Sequence, residues 1–174
     1  DLNTGEFLAP TPQIGVRDGG YVVSMDDGLV LLGGGSEWTG EVEKKLLSAE
    51  IFDPVSRSYT RTGDSVFTHE SSSATKLPNG QILIAGGEDH ESNGLTKTAE
   101  LFDPTTGTFS RTGDMNVARA GHDAVLLGDG RVLVSGGDQP DFRSAEVYDY
   151  RTERFTRVGS MNGGHEDGAA VGLK

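Results

Sequence analysis

The chain has 174 residues with 26 glycines and no cysteine, and its 27 acidic and 15 basic residues give a formal net charge of -12. A field of this sign repels phosphate backbones and anionic lipid surfaces, which excludes nucleic acid as an expected partner. The lack of cysteine excludes disulfides and thiolate chemistry within these residues, and no apolar run is long enough to span a bilayer.

In chain order, one short strand at 6–9 precedes a unit that is repeated three times. The dipeptides Asp27-Gly28, Asn79-Gly80 and Asp129-Gly130 each separate two short apolar runs, and they lie 52 and 50 residues apart. Such dipeptides are typical of the type I′ turn in a β-hairpin, because that turn needs a positive φ at both central residues. Each dipeptide therefore predicts a hairpin, whose two strands we name a and b.

Two further strands complete each unit. A diglycine ends strand b in every copy, where it allows a sharp change of direction: these pairs are Gly34 and Gly35, Gly86 and Gly87, and Gly136 and Gly137. Strand c follows as AEIFDP, AELFDP or AEVYDY, and strand d carries an aromatic residue: Phe7, Tyr59, Phe109 and Phe155 form this column. The stretch EVEKKLLSAE at 41–50 is predicted to be a loop that leads into strand c, with a single helical turn as the alternative.

Four short strands in a unit of about 50 residues are typical of a β-propeller blade. The blades are predicted at 19–62, 71–112 and 121–158, and a final strand a at 168–173. The diglycines, the AE-x-x-DP strands and ARAGHDAVLLGDGRVLVSGG at 118–137 resemble kelch repeats, in particular bacterial kelch and galactose-oxidase central-domain blades. The predicted fold class is therefore an all-β, kelch-type β-propeller of about three and a half four-stranded blades. Since closed propellers typically have 4 to 8 blades, we expect an arc of a larger propeller.

The resemblance implies that the d–a and b–c connections share the binding face. One column of these connections holds Arg17, His69, Arg119 and His165, and every strand c carries a glutamate: Glu50, Glu100 and Glu146. Two interpretations follow. The cationic column could bind an anionic ligand, or each of its members could pair with the strand-c glutamate of a nearby blade and serve the structure alone.

The b–c connections at 36–47, 88–97 and 138–143 are the least repetitive parts, and such loops usually carry specificity. Trp38 and Phe142 are the candidate anchors for a protein or carbohydrate ligand there. The alternative for Trp38 is that it packs its loop onto the blade.

No catalytic residue, metal site or cofactor is predicted. Glu88, Asp89, His90 and Glu91 are consecutive in an extended loop, so their side chains diverge and an acidic, solvated loop is the preferred interpretation. A galactose-oxidase-type site needs a Tyr–Cys crosslink, which this sequence cannot form.

We therefore expect a non-catalytic binding platform within a larger secreted or cell-surface protein. Two alternatives are the scaffold of a propeller enzyme whose catalytic residues lie elsewhere, and a subunit of a structural assembly or filament.

Overall fold

The structure is a computed structural model that describes residues 17–89, 94–138 and 142–164. In chain order its strands are β1 (Tyr21–Ser24), β2 (Val30–Gly33), β3 (Ser36–Trp38), β4 (Glu43–Lys45), β5 (Ala49–Asp53), β6 (Ser58–Arg61), β7 (Ser73–Lys76), β8 (Ile82–Ala85), β9 (Glu88–Asp89), β10 (Gly94–Leu95), β11 (Ala99–Asp103), β12 (Thr108–Arg111), β13 (Asp123–Leu126), β14 (Val132–Ser135), β15 (Ala145–Asp149) and β16 (Arg154–Val158). None of the described segments is a helix that could cross a membrane.

Three antiparallel sheets of four strands form three successive blades. Their strand orders are β1-β2-β5-β6, β7-β8-β11-β12 and β13-β14-β15-β16, which we call blades 1, 2 and 3. Within each blade the strands follow one another from a to d, and the innermost strands β1, β7 and β13 lie side by side from blade to blade. The predicted fold class is confirmed. The three hairpins form as predicted, but their turns are not of type I′, because only the glycine of each dipeptide has a positive φ: 81° at Gly28, 86° at Gly80 and 87° at Gly130. The strands predicted at 6–9 and 168–173, and Phe7 with them, lie outside the described residues.

Two small ribbons extend the b–c connections of blades 1 and 2. Strand β3 pairs with β4, and β9 pairs with β10, in both cases antiparallel. The prediction of a loop at 41–50 is wrong in one detail, because residues 43–45 form β4. A three-residue strand shows too little alternation of polar and apolar residues to be recognised from sequence.

The core lies between blades. Leu31 of blade 1 packs with Ile82, Ile84 and Phe102 of blade 2, and all four are fully buried. On its other side, blade 2 presents Leu83, Leu101 and Met115 to blade 3, which contributes Val132, Val134, Tyr148 and Phe155. Strands alternate their side chains between two faces, so blade 2 is apolar on both faces and buries both.

Backbone hydrogen bonds also join the blades where each strand a begins. The amide of Ser71 donates to the carbonyl of Gly19 at 2.8 Å, and the amide of Gly121 donates to the carbonyl of Ser71 at 2.9 Å. All three residues have a positive φ, of 64° at Gly19, 53° at Ser71 and 57° at Gly121. This repeated conformation directs each connection towards the next blade.

Candidate functional site

The three described members of the cationic column are buried in their own blades. Arg17 pairs with Glu50 at 3.2 Å, His69 with Glu100 at 2.7 Å, and Arg119 with Glu146 at 3.1 Å. These side chains are at most 6% exposed. The structural interpretation expects partners among the strand-c glutamates of a nearby blade. The partners are strand-c glutamates, but each belongs to the blade that its own connection enters, and each of the three side chains contacts a different one. His165 lies outside the described residues.

The same glutamates bind backbone amides of the connection that enters their blade. Glu100 accepts hydrogen bonds from the amides of Val66 at 2.7 Å and Phe67 at 3.2 Å. Glu146 accepts from the amides of Asn116 at 2.7 Å and Val117 at 3.0 Å. Charged acceptors form stronger hydrogen bonds than neutral ones, so each carboxylate fixes a d–a connection against strand c.

His69 occupies the position that arginine holds in the other two blades. Its Nε2 faces the carboxylate of Glu100, and its Nδ1 faces the carbonyl oxygen of Gly86, both at 2.7 Å. Both partners are oxygen atoms that accept hydrogen bonds, as are the partners of the arginine in the other two blades. His69 therefore reproduces the contacts of Arg119, which donates to the carbonyl of Gly136 and to Glu146.

His122 is a second buried histidine, at the start of strand a in blade 3. Its Nε2 lies 2.9 Å from the hydroxyl of Ser73 in blade 2, and the residue is only 8% exposed. Burial, together with the charge of Arg119, lowers the pKa of His122 to about 3. This imidazole is therefore neutral in the folded protein at neutral pH.

The neutral state of His122 predicts a loss of stability in acid. Below its ordinary pKa of 6.5 the unfolded chain binds a proton that the folded chain excludes, so stability present above pH 6.5 is lost as the pH falls towards 3. The loss is about 1.4 kcal/mol for each pH unit in that window. Denaturant unfolding at pH 7 and pH 5 should therefore show a decrease about 2 kcal/mol larger for the native chain than for His122→Gln. Equal decreases in the two proteins would contradict this assignment.

The ribbon β3–β4 carries the most exposed aromatic residue among the described residues. Trp38 is 70% exposed at the end of β3, and Val42 is 62% exposed across the tip. The amide and the hydroxyl of Thr39 both donate to the carbonyl of Val42, at 3.1 and 3.0 Å, and so close the tip. Trp38 therefore projects into solvent, and it does not pack its loop onto the blade.

The pairing of β3 with β4 determines which side chains lie on the same face of the ribbon as Trp38. Ser36 lies opposite Lys45, and Trp38 lies opposite Glu43. Since side chains alternate along a strand, these four share one face of the ribbon, which we call the Trp38 face. Glu37 and Lys44 lie on the other face, where they form an exposed ion pair at 3.6 Å.

Three carboxylates surround Lys45 on the Trp38 face. Its ammonium contacts Glu70, lies 3.2 Å from Glu88 of blade 2, and lies 3.9 Å from Glu43. The hydroxyl of Ser36 lies 2.8 Å from a carboxylate oxygen of Glu43 and 3.1 Å from one of Glu70, so its single proton is shared between the two. We call Glu43, Glu70 and Glu88 the acidic cluster. Three carboxylates against one ammonium leave negative charge in excess beside Trp38, and Glu43 and Glu88 are about half exposed, at 49% and 45%.

A cleft of about 370 Å³ opens beside the ribbon, at the d–a side of blade 1. It is lined by Glu37, Lys44, Lys45, Leu46, Leu47, Ser48, Arg61 and Asp64. Arg61 and Asp64 form an exposed ion pair at 2.9 Å. The cleft thus combines two leucines with charged groups of both signs.

The other sequence-based candidates are distributed over separate blades. Phe142 is 43% exposed, but it belongs to the b–c connection of blade 3. Glu88 and Asp89 form β9, whereas His90 and Glu91 lie outside the described residues. Within the described ranges, no group of three or more His, Cys, Asp or Glu side chains could hold a metal ion. The acidic cluster was missed by sequence reasoning, because its members come from three connections.

Comparisons with known proteins found one family model and several solved structures that are similar to this chain. The family described as Kelch motif matches residues 77–116 and 119–162. No curated protein matches the chain. Among solved structures, YjhT superposes with a TM-score of 0.73 at 16% identity, covering 86% of this chain and 54% of that one. A fungal alcohol oxidase of the AA5 family, solved in complex with copper, has a TM-score of 0.59 at 15% identity, covering 81% of this chain and 30% of that one. The chain therefore spans about half the length of the first protein and under a third of the second.

Proposed function

Since the chain consists of kelch-type propeller blades, we propose that it is a non-catalytic binding platform for a positively charged segment of a partner protein. The observation that carries the proposal is Trp38, which is 70% exposed on a ribbon beside the acidic cluster. Tryptophan is among the residues that dominate the energy of protein interfaces, because its large rigid surface loses little conformational entropy on binding.

The charge around Trp38 favours a positively charged partner. Glu43 and Glu88 keep about half of their side chains in solvent, so they can accept hydrogen bonds from lysine or arginine. An excess of negative charge, within a chain of net charge -12, attracts cations and repels acidic partners. We therefore expect association that weakens as salt concentration rises.

The experiment uses Trp38 as its own reporter, since it is the single tryptophan of the sequence. A lysine-rich peptide should change the fluorescence of the indole, whereas a glutamate-rich peptide of equal length should not. With a labelled lysine-rich peptide, Trp38→Ala should raise the dissociation constant about 30-fold, as expected for a central interface tryptophan.

Two matched variants separate this site from general attraction to an acidic protein. Glu43→Gln removes one charge of the acidic cluster, and Glu153→Gln removes one at an exposed position in the c–d turn of blade 3. Only the first should weaken binding several-fold. Equal effects of the two, or unchanged affinity in Trp38→Ala, would contradict the proposal. Phe142→Ala tests whether the surface extends across the b–c face to blade 3.

A carbohydrate is the second candidate ligand, favoured by the cleft beside the ribbon. Its paired charges can hydrogen-bond to hydroxyl groups, and its size lies within the range of small-molecule sites. A neutral cello-oligosaccharide that binds, and whose binding is lost in Arg61→Ala, would favour this candidate. The role of an enzyme scaffold rests on likeness of fold alone, and a location outside the cell or at its surface stays a prediction.

A further inference from the structure

A cavity of about 410 Å³ lies between blades 1 and 2, and we call it the interblade cavity. It is lined by the a–b turn of blade 1 at 25–27 and by the a–b and c–d turns of blade 2 at 79–81 and 103–105. These turns lie at the opposite end of the strands from the b–c connections, and so from the Trp38 face. The same three turns recur between blades 2 and 3, so the two interfaces can be compared position by position.

The equivalent place between blades 2 and 3 is filled by side chains. A Cβ added to Gly130 would lie 3.2 Å from the ring of Pro78, 3.5 Å from the ring of Tyr150 and 3.7 Å from the guanidinium of Arg151. Gly80 is the equivalent of Gly130 in blade 2, and a Cβ there would meet no atom within 4 Å. The space that the chain itself occupies in one interface is therefore open in the other.

The side chain that fills the second interface is a cation between carboxylates. The guanidinium of Arg151 lies 3.6 Å from the carboxylate of Asp149 and 4.6 Å from the centre of the Tyr150 ring. Hydrogen bonds from Arg131, together with the charges of Arg131 and Arg151, lower the pKa of Asp129. Arg151 thus stabilises a carboxylate of the c–d turn and one of the a–b turn at the same time.

The interblade cavity keeps the carboxylate of the c–d turn but not the arginines. Asp103 ends strand c of blade 2 as Asp149 ends strand c of blade 3. Two residues further along the chain, Thr105 stands at the position of Arg151. Gln81 likewise stands at the position of the second arginine, two residues after the start of the a–b turn. This interface therefore lacks the cations that its neighbour supplies.

Blade 1 adds two further carboxylates to the cavity, those of Asp26 and Asp27. Lys76 of blade 2 pairs with Asp26 across the interface. Asp27 and Asp103 each accept a backbone amide of their own turn, at 3.0 and 2.8 Å, and among the described residues neither is paired with a cation. Three carboxylates against one ammonium leave the cavity negative, whereas the equivalent place in the next interface contains a guanidinium.

We propose that the interblade cavity binds the guanidinium group of an arginine, which takes the place that Arg151 has in the next interface. A guanidinium is planar and donates hydrogen bonds in pairs to carboxylates, whereas the ammonium of lysine is a compact and strongly hydrated charge. Arginine should therefore bind more tightly than lysine. The volume of the cavity lies within the range of small-molecule sites. This inference concerns a different surface from the Trp38 face and goes beyond the proposed function.

Titration of the 174-residue chain with N-acetyl-arginine amide, followed by amide proton–nitrogen NMR, tests the proposal. The amide signal of Gly80 should shift, and the indole signal of Trp38 should not. The citrulline derivative has nearly the same shape without the charge, so it should bind about tenfold more weakly, and the lysine derivative should also bind more weakly. Free arginine, with its α-carboxylate, distinguishes the source: tighter binding of the capped form indicates a peptide, and tighter binding of the free form indicates a small molecule.

Three variants relate the signal to the cavity. Asp103→Asn keeps the acceptor for its turn but removes a charge, and it should raise the dissociation constant about tenfold. Asp53→Asn is the matched control in blade 1, where Asp53 accepts the amide of Val55 at 2.7 Å but does not line the cavity. Thr105→Arg at an exposed position supplies the missing arginine from the chain itself and should abolish binding.

Three results would overturn the proposal: no shift of Gly80 with the arginine derivative, equal binding of the citrulline or lysine derivative, or equal effects of Asp103→Asn and Asp53→Asn. None of these variants alters the Trp38 face. Failure of this inference would therefore leave the affinity for the lysine-rich peptide unchanged, and loss of that peptide in Trp38→Ala would leave the shift of Gly80 unchanged.

Discussion

Replacement of Arg119 by methionine is expected to lower the free energy of unfolding by about 3–5 kcal/mol, because it leaves the buried carboxylate of Glu146 without its cation. Both side chains are 0% exposed. The guanidinium also donates to the carbonyl of Gly136 at 2.8 Å and to the hydroxyl of Ser144 at 3.0 Å. Denaturant unfolding followed by circular dichroism measures the loss.

Arg111→Met is the matched control for this prediction. Arg111 pairs with Asp114 at 3.2 Å, but its side chain is 59% exposed. Exposed ion pairs contribute about 0–1 kcal/mol, since water competes for both charges. Equally small decreases in the free energy of unfolding of the two variants would show that the pair of Arg119 and Glu146 does not stabilise the fold. That outcome would support a ligand role for the cationic column.

The second large effect is expected at the diglycine that ends strand b of blade 2. Gly87 has a φ of +102°, and a Cβ at this position would lie 2.4 Å from the backbone carbonyl oxygen of Glu70. Its amide donates to the carbonyl of Arg119 at 2.8 Å, so the backbone has little freedom to move away. Gly87→Ala should therefore cost about 3 kcal/mol or more, from conformational strain and overpacking together.

Gly80→Ala separates these two contributions. Gly80 has a φ of +86° in the a–b turn of the same blade, but a Cβ there would meet no atom within 4 Å. Strain alone should cost about 1–2 kcal/mol. Thermal unfolding of both variants tests the difference, and a Gly87→Ala protein no less stable than Gly80→Ala would show that the backbone at Glu70 yields to the methyl group.

Sequence alone was sufficient for the blades because each blade is specified by local signals. The turn dipeptides, the diglycines and the aromatic of strand d recur at a fixed spacing, and repetition lets weak patterns reinforce one another. The pairing of Phe52 with Tyr59, of Phe102 with Phe109 and of Tyr148 with Phe155 repeats in all three blades. Residues that do not repeat offered no such support.

The candidate site was therefore less predictable than its scaffold. Trp38 was identifiable as an unusual residue, but its exposure depends on β3 pairing with β4, and these three-residue strands carry no recognisable period. The acidic cluster could not be anticipated, because Glu43, Glu70 and Glu88 are far apart in sequence and meet only when two blades stack. The cationic column allowed two interpretations from sequence, a ligand site and a set of structural pairs, and its three described members have strand-c glutamates as partners within the fold.

The carboxylates of strand c impose an order on the folding of the chain as it leaves the ribosome. Glu100 binds the amides of Val66 and Phe67, which are synthesised 34 and 33 residues earlier. Glu146 binds the amides of Asn116 and Val117, which precede it by 30 and 29 residues. The hydrogen bonds of each connection therefore cannot form until the third strand of the next blade has been synthesised. The blades are accordingly expected to become ordered one after another in the direction of synthesis.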